Sequence, residues 1–209
     1  MFTFKKSNKK KLLICGDSFA ADWSPINPDA LTEGWPGLMS NHYEVTNLAE
    51  NGVCEYKVLQ QLKSVNLKKF DALIVNHVSS NRIYVKRHPI HYNDPFRKNT
   101  DLMYADIKEH LNEYPGLQPI VDYFENYYDM DYSNYVHNLI CKEIDEYLKN
   151  YSNLKILHVV YRDDADHYQF KDYLSFFNIF LKYRGNINHY TPEGNQIIYN
   201  KIKEYFSLQ

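Results

Sequence analysis

KLLICGDSFAADW, residues 11–23, is the stretch on which the reading of the chain turns. Leu12 to Cys15 is a short apolar run that stops abruptly at Gly16, Asp17 and Ser18. A continuous run, as opposed to an alternating one, marks a strand covered on both faces, as in a parallel sheet. Ligands of such sheets bind outside the carboxyl ends of the strands, so the Ser18 hydroxyl would open onto that crevice. Asp or Ser after a strand also commonly caps the next helix, and that plainer role stays open.

Three more runs of strand length follow, at 43–48 (YEVTNL), 71–78 (DALIVNHV) and 154–161 (LKILHVVY). Helical stripes lie between and after them: Tyr56, Leu59 and Leu62; then Leu139, Ile140, Ile144, Tyr147 and Leu148; then Ile198, Ile202, Tyr205 and Phe206. The last helix has a readable start, with Thr191 as N-cap, Pro192 at the first helical position and Glu193 complementing the dipole. Strands alternating with helices imply an α/β sandwich. The stretch from about 84 to 135 breaks the pattern with HPIHYNDPFRKNT, YPGLQP and YFENYYDMDYSNY. Long irregular stretches in compact domains are usually functional loops, so this one is read as a tyrosine-rich insertion in a single domain, 1–209.

The chain of 209 residues is long enough for one ordinary core. Its net charge of -2 gives no reason to expect nucleic acid or an anionic membrane as partner. Cys15, Cys54 and Cys141 are odd in number and far apart, which fits buried thiols in a reducing compartment better than disulfides or a zinc site. No apolar run approaches the roughly twenty residues that span a bilayer, and LLIC is too short for a signal-peptide core. The expectation is a soluble, cytoplasmic protein with no membrane span; the oligomeric state is not legible.

Four short blocks then come into register. Gly16-Asp17-Ser18-Phe19 is the first, and NLAENGVCEYKVLQQL, 47–62, the second, with Gly52 between strand and helix. The fourth is Asn188-His189-Tyr190-Thr191-Pro192-Glu193-Gly194, a His-x4-Gly element entering the last helix. GWPGLM, 34–39, carries a tryptophan between the first two blocks. In order and spacing the chain resembles the SGNH (GDSL-type) hydrolases over 12–206. The resemblance implies a three-layer α/β sandwich with a mainly parallel, flavodoxin-like sheet. It implies Ser18 as nucleophile, His189 as base, and an oxyanion hole from the Ser18 and Gly52 N–H groups with an Asn amide.

Two blocks depart from that pattern. The third, usually Gly-x-Asn-Asp, reads IVNHVSSNRI; Asn81 is the candidate amide donor and Asn76, inside the strand, its competitor. His77 is read as structural. Arg82 stands where an acid is usual and, with Asp17, is placed on the substrate side, meeting a substrate carboxylate or pairing with a local Asp. In the fourth block the acid three residues before the histidine is replaced by Asn186. An amide can orient an imidazole but supplies no charge, and in a serine protease that exchange costs roughly 10⁴ in rate. Asn186 or a backbone carbonyl serves instead, an acid is borrowed, or activity is weakened. The lender would be Asp164, with Asp163 and Asp166, after the strand 154–161; Asp164-Ala165-Asp166-His167 also makes His167 a rival to His189.

The chemistry so implied is a serine esterase working on an acyl ester, with an O-acetyl group on a sugar or polysaccharide precursor preferred. An O-acyltransferase would use the same residues, differing only in what resolves the acyl-enzyme. No cofactor is expected. His88-Pro-Ile-His91 has no evident carboxylate partner, so no metal is expected either. Two other classes stay open: a non-catalytic module that binds a glycan or protein in the same cleft, and a phosphate-handling protein using Gly16-Asp17-Ser18 as an anion-binding turn.

Overall fold

The computed structural model of the chain describes residues 9–161 and 168–208. Five strands form one sheet: β1 (Lys10–Cys15), β2 (Tyr43–Asn47), β3 (Ala72–Asn76), β4 (Lys155–Val160) and β5 (Tyr173–Ser175), in the order β2-β1-β3-β4-β5. Every pairing is parallel; Leu12 stands between Val45 of β2 and Ala72 of β3, and Ile74 of β3 faces Leu157 of β4. The four strands read from the sequence are present within two residues of their expected ends. β5 carries only Tyr-Leu-Ser, too short a run to stand out.

Alternation along the strands loads the two faces separately. Leu12, Ile14, Ala72, Ile74, Leu157 and Val159 point to one side. There they meet Trp35 of the short helix α2 (Trp35–Leu38), which follows α1 (Ala30–Glu33), then Met39, Ile179 of helix α7 (Phe177–Lys182), and Ile198 and Ile202 of helix α8 (Pro192–Tyr205). Leu13, Cys15, Leu73 and Val75 point to the other, against α3 (Glu55–Lys63) through Val58, Leu59 and Leu62 and α6 (Met130–Leu148) through Ile144 and Leu148. A sheet with helices on both faces is the three-layer α/β sandwich that the run-and-stripe pattern implied. The α8 cap also holds, with the Thr191 hydroxyl accepting the Gly194 N–H at 3.2 Å.

The stretch 84–135 differs from its reading as irregular. It contains α4 (Tyr104–Glu109), α5 (Gln118–Asn126) and the start of α6. Pro119 near the first turn of α5 and Asp129 as N-cap of α6 are sound helix starts, masked in the sequence by the density of tyrosine. Ile107, Leu117 and Val121 form a small core of their own there. Cys15, Cys54 and Cys141 are buried and free. Among the described residues no helix is long and apolar enough to cross a membrane.

Candidate active site

Chain direction across the sheet reverses between β1 and β3, since β2 lies to one side of β1 and β3, β4 and β5 to the other. The crevice at such a switch point is where doubly wound sheets place ligands. Residues 16–21 leave β1 there. Gly16 passes so close to β3 that a Cβ would lie 2.7 Å from that of Asn76, which explains glycine at this position. A single helical turn follows, closed by Ala20 and Ala21 N–H donating to the Asp17 carbonyl. Ser18 sits in this turn, buried.

The other half of the pair arrives from the turn ahead of α8. Asn188 and His189 have φ of 51° and 65°, the left-handed region that non-glycine residues adopt at a cost of order 1–3 kcal/mol each. The surroundings over-determine that bend. The Asn188 amide donates to Ala21 O at 2.7 Å, and the Asn195 amide donates to Ile187 O at 2.9 Å. The outcome is His189 Nε2 at 2.7 Å from Ser18 Oγ. Phe19 lies against the imidazole at 4.4 Å between ring centres, and Trp23 meets it edge-on at 5.3 Å while its indole N–H donates to Ser18 O at 2.8 Å. Trp35 donates to Phe19 O at 2.8 Å, so the tryptophan of GWPGLM props the same turn.

Burial, aided by the Arg82 guanidinium, pulls the His189 imidazole down to about 4. At neutral pH it is therefore uncharged and able to accept the Ser18 hydroxyl proton at Nε2. Burial pushes the Asp17 carboxyl up to about 7, against the pull of Arg82 and the Phe19 N–H. Arg82 thus lies within the field of both groups, and among the described residues no carboxylate is within ion-pair distance of it. It also lines a cavity of about 240 Å³ with Tyr84, Tyr123, Tyr128 and Tyr132.

The remaining site candidates are distributed unevenly. Asp17 is buried and spent on the scaffold: its Oδ1 accepts Phe19 N–H and the Asn76 amide, both at 3.0 Å. That places Asp17 and Asn76 under the site, away from a substrate. Asn186 is exposed on β6 (Arg184–Ile187) and makes no hydrogen bond to His189; alternation puts its neighbour Ile187 in the core instead. Among the described residues no carboxylate bonds the second ring nitrogen of His189. Asp163, Asp164, Asp166 and His167 lie outside the described residues. Gly52 has φ 69°, its missing side chain leaves room for Thr100, and its loop runs beside Gly16 through Glu50 N–H to Gly16 O at 3.1 Å. Asn81 follows β3 as expected, with a buried Oδ1 that has no partner among the described residues. His77 is interior and doubly bonded, in line with a structural role. Asn188, Phe19 and Trp23 were not singled out by sequence. The signal for Asn188 was available, because Asn is the non-glycine residue most at home in left-handed backbone.

No family model matches the chain, and no curated protein matches it. Among solved structures it is similar to a candidate lipolytic protein of G-D-S-L family from Desulfitobacterium hafniense DCB-2. The two are 14% identical, the match covers 94% of this chain and 99% of that one, and the TM-score is 0.39. At that distance the likeness assigns neither family nor activity.

Proposed function

We propose that this protein is an SGNH-type serine ester hydrolase or acyltransferase whose reaction runs through Ser18 and His189. One observation carries the reading: a serine and a neutral histidine, 171 residues apart in sequence, meet at 2.7 Å at the switch point of a parallel sheet. Ser18 Oγ attacks the acyl carbonyl while His189 Nε2 takes its proton. The tetrahedral oxyanion meets the Ser18 and Gly52 N–H groups and the Asn81 amide, each such donor contributing about 3–4 kcal/mol. Collapse breaks the ester bond, and His189 returns the proton to the leaving alcohol. Water or a second alcohol then releases the acyl group by the same steps in reverse order.

The surroundings favour an acyl ester with negative charge near the reacting carbon. Arg82 is a half-buried cation without an acidic partner among the described residues, and the cavity it enters is walled by tyrosine rings that suit a sugar face. An O-acylated acidic sugar is the substrate class that this supports. A second reading has its own observation. Arg82 opposes an imidazolium at His189, and no described acid offsets it, which is the electrostatics of a cleft that binds without turning over.

Intact-mass spectrometry after fluorophosphonate treatment separates the two. A single adduct on the native chain, absent from Ser18→Ala and His189→Ala, is expected. A well-folded native chain that takes no adduct would leave the binding reading in place.

A further inference from the structure

We propose that His88, His91 and Asp106 form a site for one divalent transition-metal ion, zinc in the first place, which staples the 84–126 insertion. Along the sequence the two histidines have no evident carboxylate partner; the fold supplies one by carrying α4 past them. Asp106 Oδ2 lies 3.1 Å from His91 Nε2 and 3.4 Å from His88 Nε2, and the three ligand atoms fall within 4.8 Å of one another. Zinc holds N and O ligands at about 2.0–2.1 Å in a tetrahedron, which sets neighbouring ligand atoms about 3.3 Å apart. The separations from Asp106 match that edge.

The state of His88 argues against a plain ion pair. Its ring is fully buried, and Nδ1 accepts the backbone N–H groups of Ile90 at 3.3 Å and His91 at 3.2 Å. A nitrogen that accepts two N–H groups carries no hydrogen of its own, so the ring hydrogen of His88 would sit on Nε2. That atom is buried and has no hydrogen-bond partner among the described residues, although the Asp106 carboxylate is close by. An orphaned buried N–H costs roughly 1–3 kcal/mol. A cation in place of that hydrogen removes the cost, bonding His88 Nε2, His91 Nε2 and the carboxylate together. Two imidazoles and one carboxylate suit zinc and its neighbours better than calcium or magnesium. His110 braces the ligand helix from outside, its Nδ1 bonded to Asp106 O at 2.8 Å.

The only other described cluster with ligand spacing, Glu55, His77 and Cys141, differs in this respect. There Glu55 accepts His77 Nδ1 at 2.7 Å and Val78 N–H at 2.9 Å, and His77 Nε2 meets His158. Its atoms are already satisfied. The insertion also has reason to need a staple, because the core cluster it builds is small, centred on Ile107, Leu117 and Val121. Ile90, between the two histidines, packs on that core, and Ile107 is the residue after Asp106. The ion would therefore lock the 88–91 turn to α4 where apolar packing is thinnest.

The test uses the full chain, stripped with a chelator and dialysed. Zinc is titrated in competition with a chromophoric chelator, and cobalt(II) is followed by its visible absorption. One equivalent of each is expected to bind, with the intense spectrum of tetrahedral cobalt and a higher melting temperature. His88→Gln and Asp106→Asn should bind roughly a hundredfold more weakly or worse and lose the melting shift, while Cys141→Ser behaves as native. If His88→Gln does not fold, Asp106→Asn and the native titration decide. A native chain that binds no stoichiometric metal, equal binding by folded Asp106→Asn, or loss of binding in Cys141→Ser would each overturn the proposal.

Discussion

Two histidines stand at the carboxyl edge of the same sheet and are equipped in opposite ways. His77, the residue after β3, has a carboxylate on Nδ1, from Glu55 at 2.7 Å, and a second imidazole, His158, at 2.9 Å on Nε2. It has no hydroxyl. His189 has the Ser18 hydroxyl at 2.7 Å and, among the described residues, no carboxylate. The charge that orients a catalytic histidine is present in the molecule, but on the interior one. Glu55 answers to packing: it is buried, it receives Val78 N–H as well, and its carboxyl is held well below the usual range because His77 and His137 outweigh the push of burial. A carboxylate–imidazole pair is therefore no mark of an active site unless a nucleophile and an opening come with it.

The comparison breaks most sharply at the nucleophile. Ser18→Ala or His189→Ala should lower ester turnover, read with an activated aryl ester, by at least ~10³-fold while leaving the melting temperature nearly unchanged. Glu55→Gln should do the reverse. Removing one partner of a buried pair costs about 3–5 kcal/mol of stability, because the remaining groups are left uncompensated. Urea unfolding measures that loss, and fluorophosphonate labelling per folded molecule should stay at the native level. Equal labelling loss in Glu55→Gln would mean that the two histidines act as one system.

Acid should sharpen the contrast next. Burial, then the charge of His77, pulls His158 down to about 3, and burial with Arg82 pulls His189 to about 4. Both are neutral in the folded chain while the unfolded chain binds protons below about 6.5. The unfolded state therefore binds more protons throughout that window, and stability falls as pH drops through it. His137 opposes this: despite burial, Glu55 holds it above its usual value, and that contribution is present at low pH and lost as pH rises. Asp17 opposes it as well: its folded value near 7 lets the folded chain take up a proton between pH 7 and pH 5 that the unfolded chain does not, so urea unfolding should show a net loss smaller than the about 2 kcal/mol that either histidine alone would cause. In His158→Gln the loss should be visibly smaller; an unchanged slope would remove His158 from the account.

What was legible in the sequence follows the same division. The four long strands, the α8 cap and the Ser18–His189 pair rest on local signals, namely continuous apolar runs, a Thr-Pro-Glu start and short motifs at chain ends of elements. The companions of the pair were harder to read, because they are chosen in three dimensions. Asn186 keeps the spacing of an orienting residue, yet strand alternation turns it outward and commits Ile187 inward. Asn188 bears on the turn instead, through a contact 167 residues away in sequence. Asp106 and His88 were invisible as a pair for the same reason: α4 brings them together across an insertion whose helices are obscured by its tyrosines. Glu55 looks like an ordinary first-turn acid of α3 in the sequence and is a buried carboxylate at the sheet edge.

The smallest expected effect isolates the field at His189 from its contacts. Arg82 makes no bond to the imidazole, so its influence is through space, and it is the second cause of the depressed His189 value after burial. Arg82→Ala should leave the 2.7 Å pair intact and let His189 rise toward its ordinary value without reaching it, since burial remains. The acid limb of kcat/KM would then move from near 4 to higher pH, by less than the whole distance to an exposed histidine. A charge acting across partly solvated space contributes about 1 kcal/mol or less, under tenfold in proton affinity. The same variant should weaken binding of an anionic ester relative to a neutral one of equal size. A shifted pH limb with unchanged discrimination would assign Arg82 to tuning the base alone. Lost discrimination with an unmoved limb would place its charge on the substrate, and burial by itself would then account for the neutral histidine beside Ser18.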